Sequence, residues 1–328
     1  MSFTAEAPAI SVVIPTFNRH DELRLCLEGF GQQTIPQDQF EVIVVDDGST
    51  VNISPSAFED AGVKHAQLIR LGHAGASVAR NTAIECARAH LLLLYDDDLR
   101  PLPDLVDYCL EFHRNFPDEQ HTALLRFGPD PALGDSTFAA WTFRKLYPFP
   151  RNAGVSNWRH FWSGTLTAKK SLFRHGLFDP AYQMAEDTEL GLRLSRSINL
   201  TVHFEPRLTG TLTRRVTVEQ ICRRQYTLGY YSHVLARHYR DLVNISYPPY
   251  NRPESYVIGD RSRLAAVIAS ARGLESRQQK LNGDSWPNAS KLLDALWSTA
   301  ELHARAEGWI AARDDRPPEP PGTLALVL

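Results

Sequence analysis

The stretch "HLLLLYDDDLRP", His90–Pro101, runs four leucines and a tyrosine straight into three adjacent aspartates. An apolar run with no polar alternation reads as a strand of a parallel sheet covered on both faces, with its polar residues collected where it stops. Three like charges so close repel, and the arrangement calls for wide solvent contact or for a cation. The same grammar recurs upstream in "ISVVIP" from Ile10, "EVIVVDD" from Glu41 and "AQLIRL" from Ala66. Between these runs lie "HDELRLCLEGFGQQ" and "GASVARNTAIECARAH", whose apolar residues recur at three and four and which are long enough for crossover helices. Strands alternating with such helices are the mark of βαβ units, so the expected class is α/β with a mainly parallel sheet flanked by helices. In open α/β sheets the ligand crevice lies outside the carboxyl ends of the strands. Pro15 to Arg19, Asp46 with Asp47, and Asp96 to Asp98 should therefore converge.

Beyond Pro101 the pattern becomes mixed. It predicts a helix near Asp104 to Asn115, a strand "HTALLRF", a helix near Phe138 to Tyr147, a strand around "HFWSGTLTAKK" and a helix in "MAEDTELGLRLSRS". A strand "LTVHFEP" and a long helix from about Val218 to Tyr239 follow. After "YPPYNRPES" the chain turns rich in Ala, Leu and Arg, with helices expected near Arg261 to Gln278 and Ser290 to Arg313, and "RPPEPPGT" reads as an extended tail. The expected division is one α/β domain over 1–240, with a parallel-sheet half at about 10–100 and a mixed half at about 101–240, followed by a C-terminal helical extension and tail over 241–328.

Bulk composition narrows the partners. Lys plus Arg number 35 against 38 Asp plus Glu, a net charge of -3, which gives no general attraction for nucleic acid or anionic lipid. The four cysteines, at 26, 86, 109 and 222, form no CxxC pair and indicate neither zinc nor a disulfide framework, so a reducing cytoplasm is expected. The opening "MSFTAEAPAISVV" lacks the basic region and long apolar run of a secretory signal, and no apolar run approaches the roughly 20 residues of a membrane span.

Carboxylates clustered at strand ends favour a hard cation, Mg²⁺ or Mn²⁺, and such an ion keeps waters and bridges to substrate phosphates. That chemistry points to a nucleotide diphosphate. In this order, "SVVIPTFNR", "EVIVVDDGST", "ARNTAIECARAHLLLLYDDD" and "GLFDPAYQMAEDTELGLRL" resemble the successive motifs of family 2 glycosyltransferases of the GT-A fold, over roughly residues 10–240. The resemblance implies an inverting, metal-dependent transfer of a sugar from a nucleotide diphosphate-sugar, UDP-linked by first choice, to an acceptor hydroxyl. It places Pro15, Thr16, Asn18 and Arg19 along the nucleoside, Asp46 or Asp47 on the base edge, and Arg80 and Asn81 near the diphosphate and the metal loop. The DxD motif maps onto Asp96 and Asp98 with Asp97 between them: Asp98 is the first choice for metal and Asp96 for the donor ribose or sugar, with the register open by one residue. Asp187, with Glu186 beside it, takes the place of the catalytic base.

Each feature has a plainer reading. "DDGST" is ordinary turn chemistry, Asp98 could start a helix, and Glu186 with Asp187 could complement a helix dipole. An arginine on a helix is commonly a surface residue, and the aromatic residues Trp141, Tyr147, Trp158, Phe161 and Trp162 are core packing before they are a sugar platform. Two departures from the family pattern stand out. "LTGTLTRRV" lacks the histidine that many members carry after the strand following the base helix, leaving Arg214 or Arg215 to supply positive charge, and His203 reads as structural. "QICRR", Gln220 to Arg224, resembles the QxxRW motif of processive synthases without its tryptophan, which favours a non-processive enzyme. A nucleotidylyltransferase would carry a glycine-rich loop after the first strand, and "PTFNRHDE" has no glycine. A catalytically inactive nucleotide-sugar-binding or scaffold protein and a retaining GT-A transferase remain as alternatives. The C-terminal helices offer a surface for homodimerisation.

Overall fold

The structure, a computed structural model, describes residues 7–131, 143, 147–150, 152–214, 216–239, 253–257, 261–280 and 289–316. The chain divides into two compact units, Met1–Leu133 with Pro148–Arg214, and Gly134–Tyr147 with Arg215–Leu328. The expected boundary near residue 240 lies inside the second of these units. The long helix Val218–His238 belongs to the second unit, where it packs on the last described helix. The expected helix near Phe138 to Tyr147, Trp141 and the proline-rich tail lie outside the described residues, apart from Phe143 and Tyr147.

The first unit is built on one sheet. Its strands are β1 (Ile10–Thr16), β2 (Phe40–Asp46), β3 (Ala66–Arg70), β4 (Leu91–Tyr95), β5 (Leu99–Pro101), β6 (His121–Pro129), β7 (Gly154–Ser156), β8 (Thr165–Lys169) and β9 (Thr201–Leu212). Their order is β3-β2-β1-β4-β8-β6-β9-β5, with β7 paired to β9. The four strands expected from the apolar runs form the parallel half, β3-β2-β1-β4. Beyond β4 the sheet is mixed: β8 is antiparallel to both β4 and β6, while β9 is parallel to β6. Strands β5 and β7, three residues each, were not expected, because neither is long enough to show a period. β9 runs on through "LTGTL", past the end expected at Pro206.

Helices cover both faces. Helix α1 (His20–Gly31) buries Leu23, Cys26, Leu27 and Phe30, the spacing of one helical stripe, and Phe30 meets Tyr95 of β4 edge to face. On the other face, α3 (Ala76–Cys86) packs Ala79, Ala83 and Ile84 against Val13, Ile43, Val45, Leu92 and Leu94. Alternate residues of β4 thus serve two cores, which is why its sequence shows no polar alternation. The short α2 (Ser56–Asp60), α4 (Leu105–Asn115) and α5 (Glu186–Ile198) complete this unit.

One buried polar chain crosses the sheet. Lys169 Nζ lies 3.1 Å from His113 Nδ1, His113 Nε2 lies 2.9 Å from Thr167 Oγ1, and Thr167 donates to the Leu92 carbonyl at 3.0 Å. The ammonium can only donate, so His113 carries its proton on Nε2. Burial, and then the Lys169 charge, push the His113 pKa down to about 3. The unfolded imidazole binds a proton near pH 6.5, so acidification from 6.5 toward 3 favours unfolding, by up to about 1.4 kcal/mol per pH unit. Melting curves over that range should therefore fall more steeply for the wild type than for His113→Gln; parallel curves would contradict the assignment. His203, expected to be structural, sits 3.0 Å from His121 on the paired strand and against Phe112 and Phe116.

In the second unit, α6 (Val218–His238), α7 (Arg261–Lys280) and α8 (Ala289–Arg313) form a helical array. Gln220 of "QICRR" is spent on a capping box with Thr217, and Arg224 is exposed. At the crossing of α6 and α8, a Cβ added to Gly229 would lie 2.0 Å from the Arg305 carbonyl oxygen, and one added to Gly308 would lie 1.9 Å from that of Tyr226. Beside the crossing, Arg305 donates to buried Gln225 at 2.7 Å and to Glu301 at 3.3 Å. No described helix is long and apolar enough to cross a membrane.

Candidate active site

The sheet order places a topological switch between β1 and β4: the chain steps outward from β1 to β2 and β3, then returns to the other side of β1. Pairing of β1 with β4 ends at Val13 and Leu94, so the two strands part just before their polar ends. Pro15 lies past that point, where the missing N–H costs no bond to β4. The crevice is the site that strand-end reasoning indicates.

On the β1 side, Thr16 donates to Asp97 Oδ2 at 2.7 Å, and Arg19 Nη1 donates to Asp97 Oδ1 at 2.7 Å and Asp98 Oδ2 at 3.2 Å. Arg214, just past β9, forms an ion pair with Asp98 Oδ2 at 3.2 Å, and Thr213 donates its backbone N–H and its hydroxyl to the Asp98 carbonyl. On the other side, Arg80 of α3 donates to Asp96 Oδ1 and to Glu186 Oε1, each at 2.9 Å. The repulsion among the three aspartates is therefore met by three guanidinium groups from distant parts of the chain. Burial still wins at the middle position: it pushes the Asp97 carboxyl up to about 6, with Asp98 adding to the shift and Arg19 opposing it.

This arrangement sets the three aspartates apart by exposure. Asp98, first choice for the metal, is buried and paired with Arg19 and Arg214. Asp96 is the open one, its side chain 38 % exposed against 3 % for Asp97 and 8 % for Asp98. A Cβ on Gly164 would come within 2.4 Å of Asp96 Oδ2, so the carboxylate rests directly on that backbone. Among the described residues no three or more His, Cys, Asp or Glu side chains are gathered as a ligand set. Mg²⁺ and Mn²⁺ need no such cage, being held by one or two carboxylates and the substrate's phosphates. Asp96 to Asp98, Glu186 and Asp187 outnumber Arg19, Arg80 and Arg214 by two charges, so a divalent ion held at Asp96 suits the donor set.

The β2 end is stitched rather than open. Asp46 accepts from Ser49 N at 2.9 Å and from Arg70 at 2.6 Å, while Asp47 accepts from Ala74 N at 2.6 Å and Gly75 N at 2.9 Å. Gly75 holds φ +93°, a conformation that favours glycine, and its N–H thereby faces the carboxylate. Asn18, at φ 54°, accepts from Thr50 N at 2.8 Å and donates its own N–H to Ser49 Oγ at 2.8 Å, which ties the β1 and β2 loops together. Phe17 and His73 stack above these loops with centroids 4.2 Å apart, and neither was singled out from the sequence. Arg70 could have been: it ends β3 in register with Asp46.

Asn81 faces away from the aspartates, exchanging hydrogen bonds with both backbone groups of Phe178 at 2.8 and 3.0 Å. Asp187 is the second residue of α5, two positions after Ala185 at φ 63°, and accepts from Thr188 N at 2.6 Å. A left-handed alanine costs on the order of 1–3 kcal/mol and persists where its surroundings impose it. Trp158, Phe161 and Trp162 pack in the core cluster with α5, the plainer of their two readings.

A family model described as glycosyl transferase family 2 matches residues 11–174. The chain belongs to glycosyl transferase family 2. Among curated members, the validoxylamine A glucosyltransferase of Streptomyces hygroscopicus subsp. limoneus is 31 % identical over 233 residues, covering 62 % of this chain and 51 % of that protein. A hyaluronan synthase of Pasteurella multocida is 28 % identical over 221 residues, covering 57 % and 23 %. The chain spans about half the length of the curated glucosyltransferases it matches. In three dimensions it resembles a mannosyltransferase from Pyrobaculum calidifontis solved with GDP-Man and Mn²⁺, with TM-score 0.57 and 18 % identity over 95 % of this chain and 88 % of that one. It likewise resembles S. aureus TarS residues 1–349 solved with UDP-GlcNAc, with TM-score 0.54 and 15 % identity over 94 % and 92 %. The GT-A fold expected from the motifs of this family 2 chain is the fold observed.

Proposed function

We propose that the chain transfers a sugar, with inversion, from a nucleotide diphosphate-sugar to an acceptor hydroxyl, using Mg²⁺ or Mn²⁺. The observation that carries this reading is the Arg80 bridge, which draws the strand-end carboxylate Asp96 and the Glu186–Asp187 turn to one crevice. A divalent ion bound there supplies neutralisation of the charge that grows on the departing diphosphate. Asp96 would hold it, Arg19 and Arg214 would face the phosphates from the β1 and β9 sides, and Asp187 would take the acceptor's proton as the new bond forms opposite the leaving group. Pro15, Thr16 and the stitched loops bearing Asn18, Asp46 and Asp47 form the wall for the nucleoside. UDP is the first choice of nucleotide, and UDP-linked and GDP-linked sugars are both bound in the structural relatives. A cytoplasmic setting and self-association through the second unit belong to the same reading.

A melting panel of UDP-sugars and GDP-Man, with and without Mn²⁺, tests donor and metal together. Ligand at a hundredfold excess over its Kd stabilises the fold by about 2.7 kcal/mol. One donor should raise Tm in a Mn²⁺-dependent way. A flat panel would overturn the reading, stabilisation without donor turnover would favour an inactive binder, and retained anomeric configuration in the product, by NMR coupling constants, would indicate a retaining enzyme.

A further inference from the structure

Helix α3 docks one face onto the segment that leads into α5. Ser77, Arg80 and Asn81, spaced three and four apart, all reach it. Ser77 Oγ donates to the Tyr182 carbonyl at 3.5 Å, Asn81 clamps the backbone of Phe178, and Arg80 lies 5.7 Å over the Phe178 ring while donating to Glu186. The Arg80 side chain is only 7 % exposed, and its Nε has no hydrogen-bond partner among the described residues. Burial works against its charge, yet Asp96, Glu186 and Asp187 hold its pKa above the usual guanidinium value. A buried charge of this kind is costly unless its geometry is well satisfied, and here two carboxylates from opposite ends of the crevice satisfy it.

From this geometry we infer that Arg80 is a positioning residue, closed off from the donor, whose two-pronged grip on Asp96 and Glu186 fixes where Asp187 stands relative to the nucleotide-sugar. The inference rests on the function proposed above. It replaces the diphosphate contact expected of Arg80 and the catalytic role expected of Glu186: Glu186 is the tether, and Asp187 alone is the base. The left-handed Ala185 fits this account. It sits directly before the tethered glutamate, so the grip of Arg80 on Glu186 helps impose the backbone turn that presents Asp187. Lysine, a point charge, cannot span both carboxylates with a fixed fork.

The test uses the full chain as wild type, Arg80→Lys, Arg80→Ala and Glu186→Gln, with four readouts: turnover with the donor that the melting panel identifies, its rescue by guanidinium chloride, Kd for UDP with Mn²⁺ by calorimetry, and backbone hydrogen exchange over residues 182–190. A displacement of about 1 Å can cost about a hundredfold in rate, so kcat should fall about ten- to a hundredfold in Arg80→Lys and Glu186→Gln. The UDP Kd should stay within about threefold in Glu186→Gln, which leaves the Arg80–Asp96 pair in place, and exchange over 182–190 should quicken in both. Guanidinium chloride at low concentration should restore part of the turnover to Arg80→Ala and none to Glu186→Gln. A Kd that weakens as much as kcat in Glu186→Gln overturns the inference, as does unchanged exchange. If the wild type turns over no donor, the proposed function falls, while the exchange result still decides whether Arg80 positions the turn.

Discussion

Asp187→Asn should lower kcat about a thousandfold while leaving the UDP Kd within about twofold, since a positioned general base contributes about 10²–10⁴ in rate. The amide matches the carboxylate in size and keeps an oxygen for the Thr188 N–H, which the native side chain receives at 2.6 Å. Folding and the α5 turn should therefore persist, and only the capacity to take a proton is lost. Initial rates at saturating donor and acceptor, paired with calorimetry, separate the two effects. Near-normal turnover in this variant would remove Asp187 from its role and return the Glu186–Asp187 pair to its plainer reading as charge at a helix start.

The second large effect is expected at a residue with no side chain. In Gly164→Ala the new Cβ would meet Asp96 Oδ2 at 2.4 Å and Cγ at 2.9 Å, separations that force the carboxylate to move. Asp96 cannot swing freely, because Arg80 holds its other oxygen at 2.9 Å and its backbone N–H is bonded to the Gly164 carbonyl at 2.9 Å. If Asp96 meets the metal and the donor as proposed, a shift near 1 Å is expected to cost about a hundredfold in kcat/KM. The fold should tolerate the change, since the clash falls on a side chain that is 38 % exposed. Activity near wild type, or no change in the Mn²⁺ dependence of donor binding, would show that Asp96 is not the carboxylate facing the ion.

How much of this could be read from the chain alone follows from where each constraint lies. The parallel half was legible because β1, β2 and β4 are covered on both faces and so write themselves as apolar runs. α1 and α3 were legible from their buried stripes. The convergence of Thr16, Arg19 and Asp96 to Asp98 followed from strand ends and needed no side-chain detail. What escaped was how differently the three carboxylates are exposed and paired. Nothing local distinguishes Asp98 from Asp96; the difference is made by Arg214, more than a hundred positions away and brought in only by the turn after β9. Asn81 and Arg80, adjacent in "ARN", looked like one functional pair, but Asn81 is spent on the backbone of Phe178 while Arg80 reaches past the Phe178 ring to Asp96 and Glu186. The role of Gly164 leaves no trace in "SGTLT", since its meaning is a distance to Asp96.

The two glycines at the crossing of α6 and α8 act as a pair of notches. Each admits the partner's main chain at a separation that any methyl group would forbid, and the notches engage only when Gly229 meets Arg305 while Gly308 meets Tyr226. Sliding one helix by a single residue would lift both out and drive β-carbons onto carbonyl oxygens, and the buried Gln225–Arg305 link would break in the same step. The alignment of these two helices is therefore keyed by absence of side chain as well as by the apolar cluster of Ile221, Cys222, Trp297, Ala300 and Ala304. Sequence drift there should be free on the outer surfaces and nearly frozen at two positions where nothing projects at all.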